Sequence, residues 1–302
     1  MSEGKVEYDP SGLLPIIMKT LLALSLAVAC TAVQAQTPAN NPMPDGSRDL
    51  YVGLGVVAEN AYQGGAQRRV RALPLVQMEW SYGLFISAMS AGMHLSQRPG
   101  LEYGPLLSVQ AKRTSGGNGG AFGGVGQQSG PGMMGPTVDR ESQAGGVALE
   151  GMDDIPARLQ AGVFVNYDVA PTLRLTNSLL YGAGKGRDGL VWNLAVQHTA
   201  PDITAHHRLT YTAGVTVVNN SYNTGFFGVT GLEALASGHP AYAPGAGVQD
   251  VYLGARWNWA LSPGWMLVSG ARVTRLQGDA RHSPLVQRPT SFSITSGLAY
   301  RF

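Results

Sequence analysis

Little in this chain offers chemistry. A single cysteine, Cys30, stands in 302 residues, which leaves no disulfide framework and no thiolate metal site. Lysine occurs only at positions 5, 19, 112 and 185, and charged residues make up 13% of the chain, about half the ~25% of an ordinary globular protein. The lysine- and glutamate-rich surface of a soluble domain is therefore missing, and so is the clustered basic face of a nucleic-acid binder. No apolar run reaches the ~20 residues of a membrane helix, and a mean hydropathy of −0.01 is too polar for a helical bundle. Disorder is excluded from the other side, by 44% hydrophobic residues and a net charge of +2. None of the histidines has zinc-site spacing. His206 and His207 are adjacent and point to opposite faces of a strand. No metal and no cofactor are expected.

Glycine is abundant, with 41 residues, roughly twice the ~7% average. A short apolar run, Leu21 to Ala29, follows Met18-Lys19-Thr20 and precedes Val33-Gln34-Ala35. This pattern reads as a secretory signal peptide over residues 1–35, cut after Ala35. The acids Glu3, Glu7 and Asp9 suit no such leader, which makes Met18 a candidate start. Residues 36–48 then form a short periplasmic segment, and 49–302 a single domain in the outer membrane of a Gram-negative cell.

That domain alternates. In Asp250–Trp259 the odd positions are Val, Leu, Ala, Trp and Trp, against Asp, Tyr, Gly, Arg and Asn. Arg208–Val217 and Ser291–Phe302 sort in the same way. Period two sends successive side chains to opposite faces of a sheet. Further segments lie at Leu50–Ala58, Val70–Trp80, Leu84–Ser90, Glu102–Gln110, Leu159–Asp168, Leu173–Tyr181, Leu190–Gln197 and Trp265–Leu276. Most approach the ~9–11 residues of a tilted transmembrane strand. Aromatics stand at segment ends: Trp80 with Tyr82, Trp257 and Trp259 with Trp265, Tyr300 with Phe302. Tight connections such as Ala170-Pro171 and Leu261–Gly264 alternate with long ones such as 219–248 and 278–289. Outer-membrane barrels combine aromatic girdles, short periplasmic turns and long external loops.

In hydrocarbon every backbone group must be paired, so the sheet must close. The expected fold is all-β: a transmembrane antiparallel up-and-down β-barrel. Eleven segments are legible, but bacterial single-chain barrels have even strand numbers. Twelve strands are expected, with ten as the fallback, and alternation does not count the crossings between Leu84 and Lys112. The stretch Thr114–Gly135 holds ten glycines in 22 residues. It reads as part of a flexible loop over 114–151.

Candidate chemistry is sparse. Residues 184–189 satisfy G-x-G-x-x-G, but a strand follows where a dinucleotide site needs a helix, so a hairpin loop is expected. His94 and Ser96, two apart on a strand, share a face as a base and nucleophile require. Arg69, Arg71, Arg174, Arg208, Arg256, Arg272 and Arg301 fall mostly on the polar face, where a hydrated lumen tolerates charge. Glu79, Asp168 and Asp250 are their candidate partners. Such a network either selects solutes or plugs the lumen, and the plug is the preferred reading.

Certain residues carry a resemblance. They are Phe227-Gly228-Val229-Thr230, Ala236-Ser237-Gly238, Pro240, Tyr242, Gly245–Gly247 with Asp250, Leu261-Ser262-Pro263 and Trp265. Others are Arg275-Leu276, Gly278–Ala280, Ser283-Pro284 and Tyr300–Phe302, with Tyr62, Gly64, Pro74-Leu75, Tyr82-Gly83 and Gly104-Pro105 upstream. On these the chain resembles the MipA/OmpV family of outer-membrane proteins, the MltA-interacting-protein type. It departs at the glycine tract, where similar proteins have an acidic, asparagine-containing loop.

The resemblance implies a barrel without catalytic residues, set in outer-membrane lipid. Some members are described as scaffolds joining a lytic transglycosylase to a murein synthase; others are linked to adhesion, osmotic response or antibiotic entry. The family-signature loop of Phe227, Gly228, Val229, Thr230, Ser237, Gly238, Pro240 and Tyr242, with Asp250, is the candidate interaction site, with a short helix over Leu232–Ala236. Tyr300 and Phe302 are the candidate assembly signal. The expected function is therefore a non-enzymatic scaffold for murein-remodelling enzymes. The alternative is a porin-like diffusion channel, and the third reading is a lipid hydrolase using His94 and Ser96.

Overall fold

A computed structural model describes residues 48–96, 98–115, 117–118, 149–182, 189–200 and 206–302. The expected leader, most of the glycine tract and residues 183–188 of the G-x-G-x-x-G stretch lie outside the described residues.

The strands are β1 (Arg48–Asn60), β2 (Arg68–Trp80), β3 (Leu84–Ser87), β4 (Ser90–Met93), β5 (Leu101–Gln110), β6 (Arg113–Thr114) and β7 (Gly117–Asn118). They continue with β8 (Arg158–Ala170), β9 (Leu173–Gly182), β10 (Gly189–Thr199), β11 (His207–Val218), β12 (Gly247–Ala260), β13 (Trp265–Leu276) and β14 (Thr290–Arg301). Twelve of them close into one antiparallel barrel, with β1 beside β14 and the rest in meander order; β6 and β7 make a separate hairpin. The twelve-strand expectation holds. No helix among the described residues is long and apolar enough to cross a membrane.

Closure follows from the pleat. On β12, Leu253 is 65% exposed while Asp250 is 4% exposed, so odd residues face lipid and even ones the lumen. Leu54, Val70, Leu159, Val163 and Ile294 likewise lie exposed on the outer face. The outward Asn177 is satisfied there, because its Oδ1 accepts the Trp192 indole N–H at 2.7 Å.

The segment read as one strand, Leu84–Ser90, is in fact a hairpin. β3 and β4 have four residues each and reverse at Ala88-Met89, where Ala88 takes a positive φ of 54°. This is the twelfth strand that alternation missed. Short turns after β2, β8 and β12 mark one rim as periplasmic. Both ends of the barrel chain lie on that rim, where the Phe302 N–H donates to the Leu50 carbonyl at 2.9 Å. The segment-end aromatics all belong to this single rim. His207 stacks on Trp257 and Trp259, and Trp265, Tyr300 and Phe302 pack edge to face.

The external ends are built rather than loose. Among the described residues three helices cross them: α1 (Asn220–Phe227), α2 (Gly231–Ser237) and α3 (Gly278–His282). Asn219 caps α1 by accepting the Tyr222 N–H. Thr230 and Glu233 form a capping box on α2, which ends at Gly238 in the left-handed conformation, φ 76°. The segment read as a flexible loop over 114–151 is anchored at both ends. Arg113 exchanges backbone hydrogen bonds with Ile155 (2.8 and 2.7 Å), and Leu149 is 1% exposed.

Candidate functional site

The lumen contains a chamber of about 440 Å³. Its walls mix hydroxyls and amides, among them Ser108, Gln110, Gln160, Ser178, Asn193 and Gln197, with apolar side chains such as Leu149, Leu180, Phe226 and Phe227. Arg256 and Arg272 line it together with Asp250 and Tyr252. The Arg272 guanidinium lies 3.7 Å from the centre of the Tyr252 ring, a cation–π contact. Asp250 accepts from Thr216 Oγ1 and Gln63 Nε2, each at 3.1 Å.

The cap closes the chamber outward. Ala61, Tyr62, Leu149, Met152, Val229 and Leu285 form one apolar cluster, and Phe227, Leu276 and Ala280 another. Tyr62 donates its hydroxyl proton to the Leu285 carbonyl (2.9 Å), and Ser283 donates to the Phe227 carbonyl (2.6 Å). Arg113 reaches the Phe226 carbonyl and Arg69 that of Ala61. Burial pushes the Tyr62 and Tyr222 phenols above their ordinary pKa; the neutral hydroxyl is the form a water-poor site favours.

Toward the periplasm the lumen is crowded. Val57, Leu73, Leu75, Val268 and Ala299 cluster on one side, and Phe85, Leu106 and Phe164 on the other, where they meet Leu180 of the chamber wall. On β1, β5, β8, β13 and β14 these residues lie just periplasmic of the chamber lining. At the mouth, Arg174 pairs with Glu102 and stands 3.7 Å from Asp168, and Arg301 pairs with Asp49. Arg71 pairs with Glu59 near the cap.

The predicted arginines thus divide. Arg256 and Arg272 lie in the chamber, Arg174 and Arg301 in periplasmic pairs, and Arg208 is exposed at the periplasmic end of β11. Glu102, the partner Arg174 takes, was missed. Its even position on β5 matches Ser108 and Gln110, so its parity was legible once the crossings around it were counted.

Residues 94–96 carry on the alternation of β4: the His94 N–H donates to the Gly83 carbonyl (2.9 Å) and the Leu95 N–H to the Tyr103 carbonyl (2.8 Å), with Leu95 exposed and His94 and Ser96 half-buried. The His94 ring packs on Phe85 and Phe164, with Nδ1 3.7 Å from Glu102. Ser96 Oγ accepts the Arg98 N–H at 3.1 Å. Among the described residues no group of three or more His, Cys, Asp or Glu could hold a metal ion.

The signature residues build the cap. Val229 and Tyr242 exchange backbone hydrogen bonds (2.8 and 2.9 Å), and Tyr242 donates its hydroxyl to the Asp279 carbonyl at 2.8 Å. Ser237 Oγ donates to the Glu233 carbonyl at 2.6 Å. Pro240 lies in the same connection between α2 and β12.

The family model described as "MltA-interacting protein MipA" matches residues 52–302. The chain belongs to the MipA family. It is 25% identical over 173 residues to the MltA-interacting protein of Escherichia coli K12, covering 55% of this chain and 66% of that protein. The match therefore spans just under two thirds of the relative's length. The Vibrio cholerae outer membrane protein OmpV is 31% identical over 90 residues, 30% of this chain and 34% of that one. Among solved structures, the KdgM porin has a TM-score of 0.43 at 7% identity, covering 83% of this chain and 99% of that chain. The NalP translocator domain of Neisseria meningitidis scores 0.44 at 12% identity, covering 99% and 100%. This MipA-family chain is an outer-membrane β-barrel.

Proposed function

We propose that this MipA-family barrel is a non-enzymatic envelope scaffold that holds murein-remodelling enzymes, a lytic transglycosylase and a murein synthase, at its periplasmic rim. A crowded lumen carries the reading: with cap residues above and two apolar clusters below, surfaces rather than passage are left as working parts. The name of the Escherichia coli relative, an interacting protein, points the same way. The periplasmic turns expose Tyr82 (60%), Leu95 (52%) and Leu261 (45%). On this reading the signature loop frames the cap and the rim meets the partner.

The test is capture from a detergent extract by tagged full-length protein. Both murein enzymes are expected with the wild type, and loss of both when Tyr82, Leu95 and Leu261 are each changed to Ser in a barrel that stays folded. Capture of neither enzyme by the wild type overturns the scaffold.

One observation favours the channel instead: hydroxyls, amides and two arginines stand in the chamber wall. Steady single-channel steps in planar bilayers would support that reading, and a silent bilayer would count against it.

A further inference from the structure

Arginines gather on one sector of the external rim, where two connections meet. The N–H groups of Gln287 and Arg288, just before β14, both donate to the Gly64 carbonyl at 2.9 Å. The Ala66 N–H donates to Gln287 Oε1 at 3.0 Å. The β13–β14 connection is thereby tied to the β1–β2 connection, and Arg288 is set beside the segment that leads into Arg68, the first residue of β2. Arg275, near the end of β13, pairs across the sheet with Thr290 of β14. The Phe292 N–H donates to Asn60 Oδ1 at 3.4 Å, and the Arg68 guanidinium lies 6.0 Å from the centre of the Phe292 ring. Arg281, on α3, belongs to the same β13–β14 connection.

Parity turns two of these cations toward lipid. On β13 Val273 is 40% exposed, and on β2 Val70 is 73% exposed. Arg275 and Arg68 are the next outward positions toward the external end, because side chains on one face recur every second residue. Each stands ~7 Å beyond an apolar side chain that meets acyl chains, two residues at ~3.3–3.4 Å apiece. Ile294 of β14, also exposed and outward, lies between the two columns. An outward arginine is costly at the bilayer midplane and nearly free at the interface. These two therefore mark the level of the headgroups.

Their charge is unspent. Arg68, Arg275, Arg281 and Arg288 are all exposed, and no carboxylate among the described residues pairs with any of the four. Asp279, the acid beside them on α3, accepts the Gly245 N–H at 2.7 Å. Glu59, next to Asn60, pairs instead with Arg71. The other exposed acids of the described external side are Glu150, Asp153 and Asp154. They lie in the segment that packs Leu149 and Met152 into the cap. From β13 to β2 the sector spans three strand spacings of ~4.8 Å, or ~14 Å. Phosphate is the anion whose oxygens the arginine fork matches, often with two bonds at once. Four guanidinium groups over that width suit more than one phosphate.

We propose that this sector of the external rim binds an outer-leaflet lipid whose headgroup carries more than one phosphate, with its acyl chains against Val70, Val273 and Ile294. The inference stands apart from the scaffold, which concerns the opposite rim.

The test titrates lipid A bearing two phosphates into the full-length barrel in dodecyl maltoside, with monophosphorylated lipid A and inorganic phosphate as the other probes. Saturable binding of the two-phosphate form is expected. It should be about ten-fold tighter than that of the one-phosphate form, the scale of one charge-assisted pair, and indifferent to millimolar inorganic phosphate. The triple variant Arg68→Gln, Arg275→Gln and Arg288→Gln should bind both lipids equally weakly, and Arg275→Gln alone should lose a few-fold. Arg208→Gln, at the periplasmic end, should bind as the wild type does. Heat-modifiable mobility identifies the folded variants. No saturable component, or equal affinity of the wild type for both lipids, overturns the assigned ligand. Full competition by inorganic phosphate overturns the lipid as its source. Undiminished binding by folded Arg275→Gln and triple variants, or an equal loss from Arg208→Gln, overturns the location.

Discussion

At Gly297 the barrel has no room for a side chain. A Cβ there would lie 2.7 Å from Leu75 Cδ1 and 2.9 Å from the Gly55 Cα. The first neighbour is a flexible methyl, but the second is backbone of the paired strand, so the chain itself would have to move. Overpacking of this kind costs ~1–3 kcal/mol. Gly297→Val is therefore expected to lower the urea midpoint of unfolding, followed by tryptophan fluorescence, and Gly297→Ala to lower it less. An unchanged midpoint for the valine variant would show that β1 and β14 can separate locally at no cost. The same close approach lets Leu75 cross the lumen toward Val268 and Ala299, so a glycine in the wall and a leucine in the interior are one packing decision.

Among the elements, the cap is held by its helix ends. Thr230 Oγ1 accepts the Glu233 N–H (3.2 Å), while the Glu233 carboxylate accepts from the N–H groups of Thr230 (2.9 Å) and Asp153 (3.1 Å). Thr230→Ala removes one side of this exchange, worth ~1 kcal/mol. It should quicken amide exchange across 229–242 and leave the strands protected; exchange unchanged in the loop would contradict the capping role. Alkali acts on the same region. Because burial raises the folded-state pKa of Tyr62 above its unfolded value, the neutral phenol contributes stability below pH ~10 that is lost as pH climbs through the folded pKa. Proteolysis of the external loops should accelerate there before the barrel unfolds, and simultaneous loss of both would refute the order.

These elements also show what the sequence made legible. β11, β12 and β14 are long enough to repeat polar and apolar positions several times, so their faces could be assigned residue by residue. β3 and β4, four residues each, hold no more than two periods apiece, and together they read as one crossing. α2 followed from the family loop. The lumen-closing role of Phe226 and Phe227 did not, because the cap depends on contacts such as Tyr62 with Leu285, 223 residues apart. Parity likewise brought Arg256 and Arg272 to the lumen side but was silent on the depth that separates them from Arg174 and Arg301.

For the whole molecule, the seam between first and last strands is as regular as any other. β1 meets β14 over eight consecutive pairs, from Tyr51↔Arg301 to Ala58↔Ile294, and the Phe302 N–H reaches the Leu50 carbonyl. Geometry alone does not require the polypeptide to begin and end there. A circular permutant with Phe302 linked to Leu50 and new termini opened between Gly182 and Gly189 should refold in detergent to the same heat-modifiable species, since surface connections tolerate such relocation. If a free terminal aromatic is what the cell's insertion machinery reads, that permutant would be sound in the test tube yet fail to mature in living bacteria, and the difference would separate the shape of the cylinder from the instruction to build it.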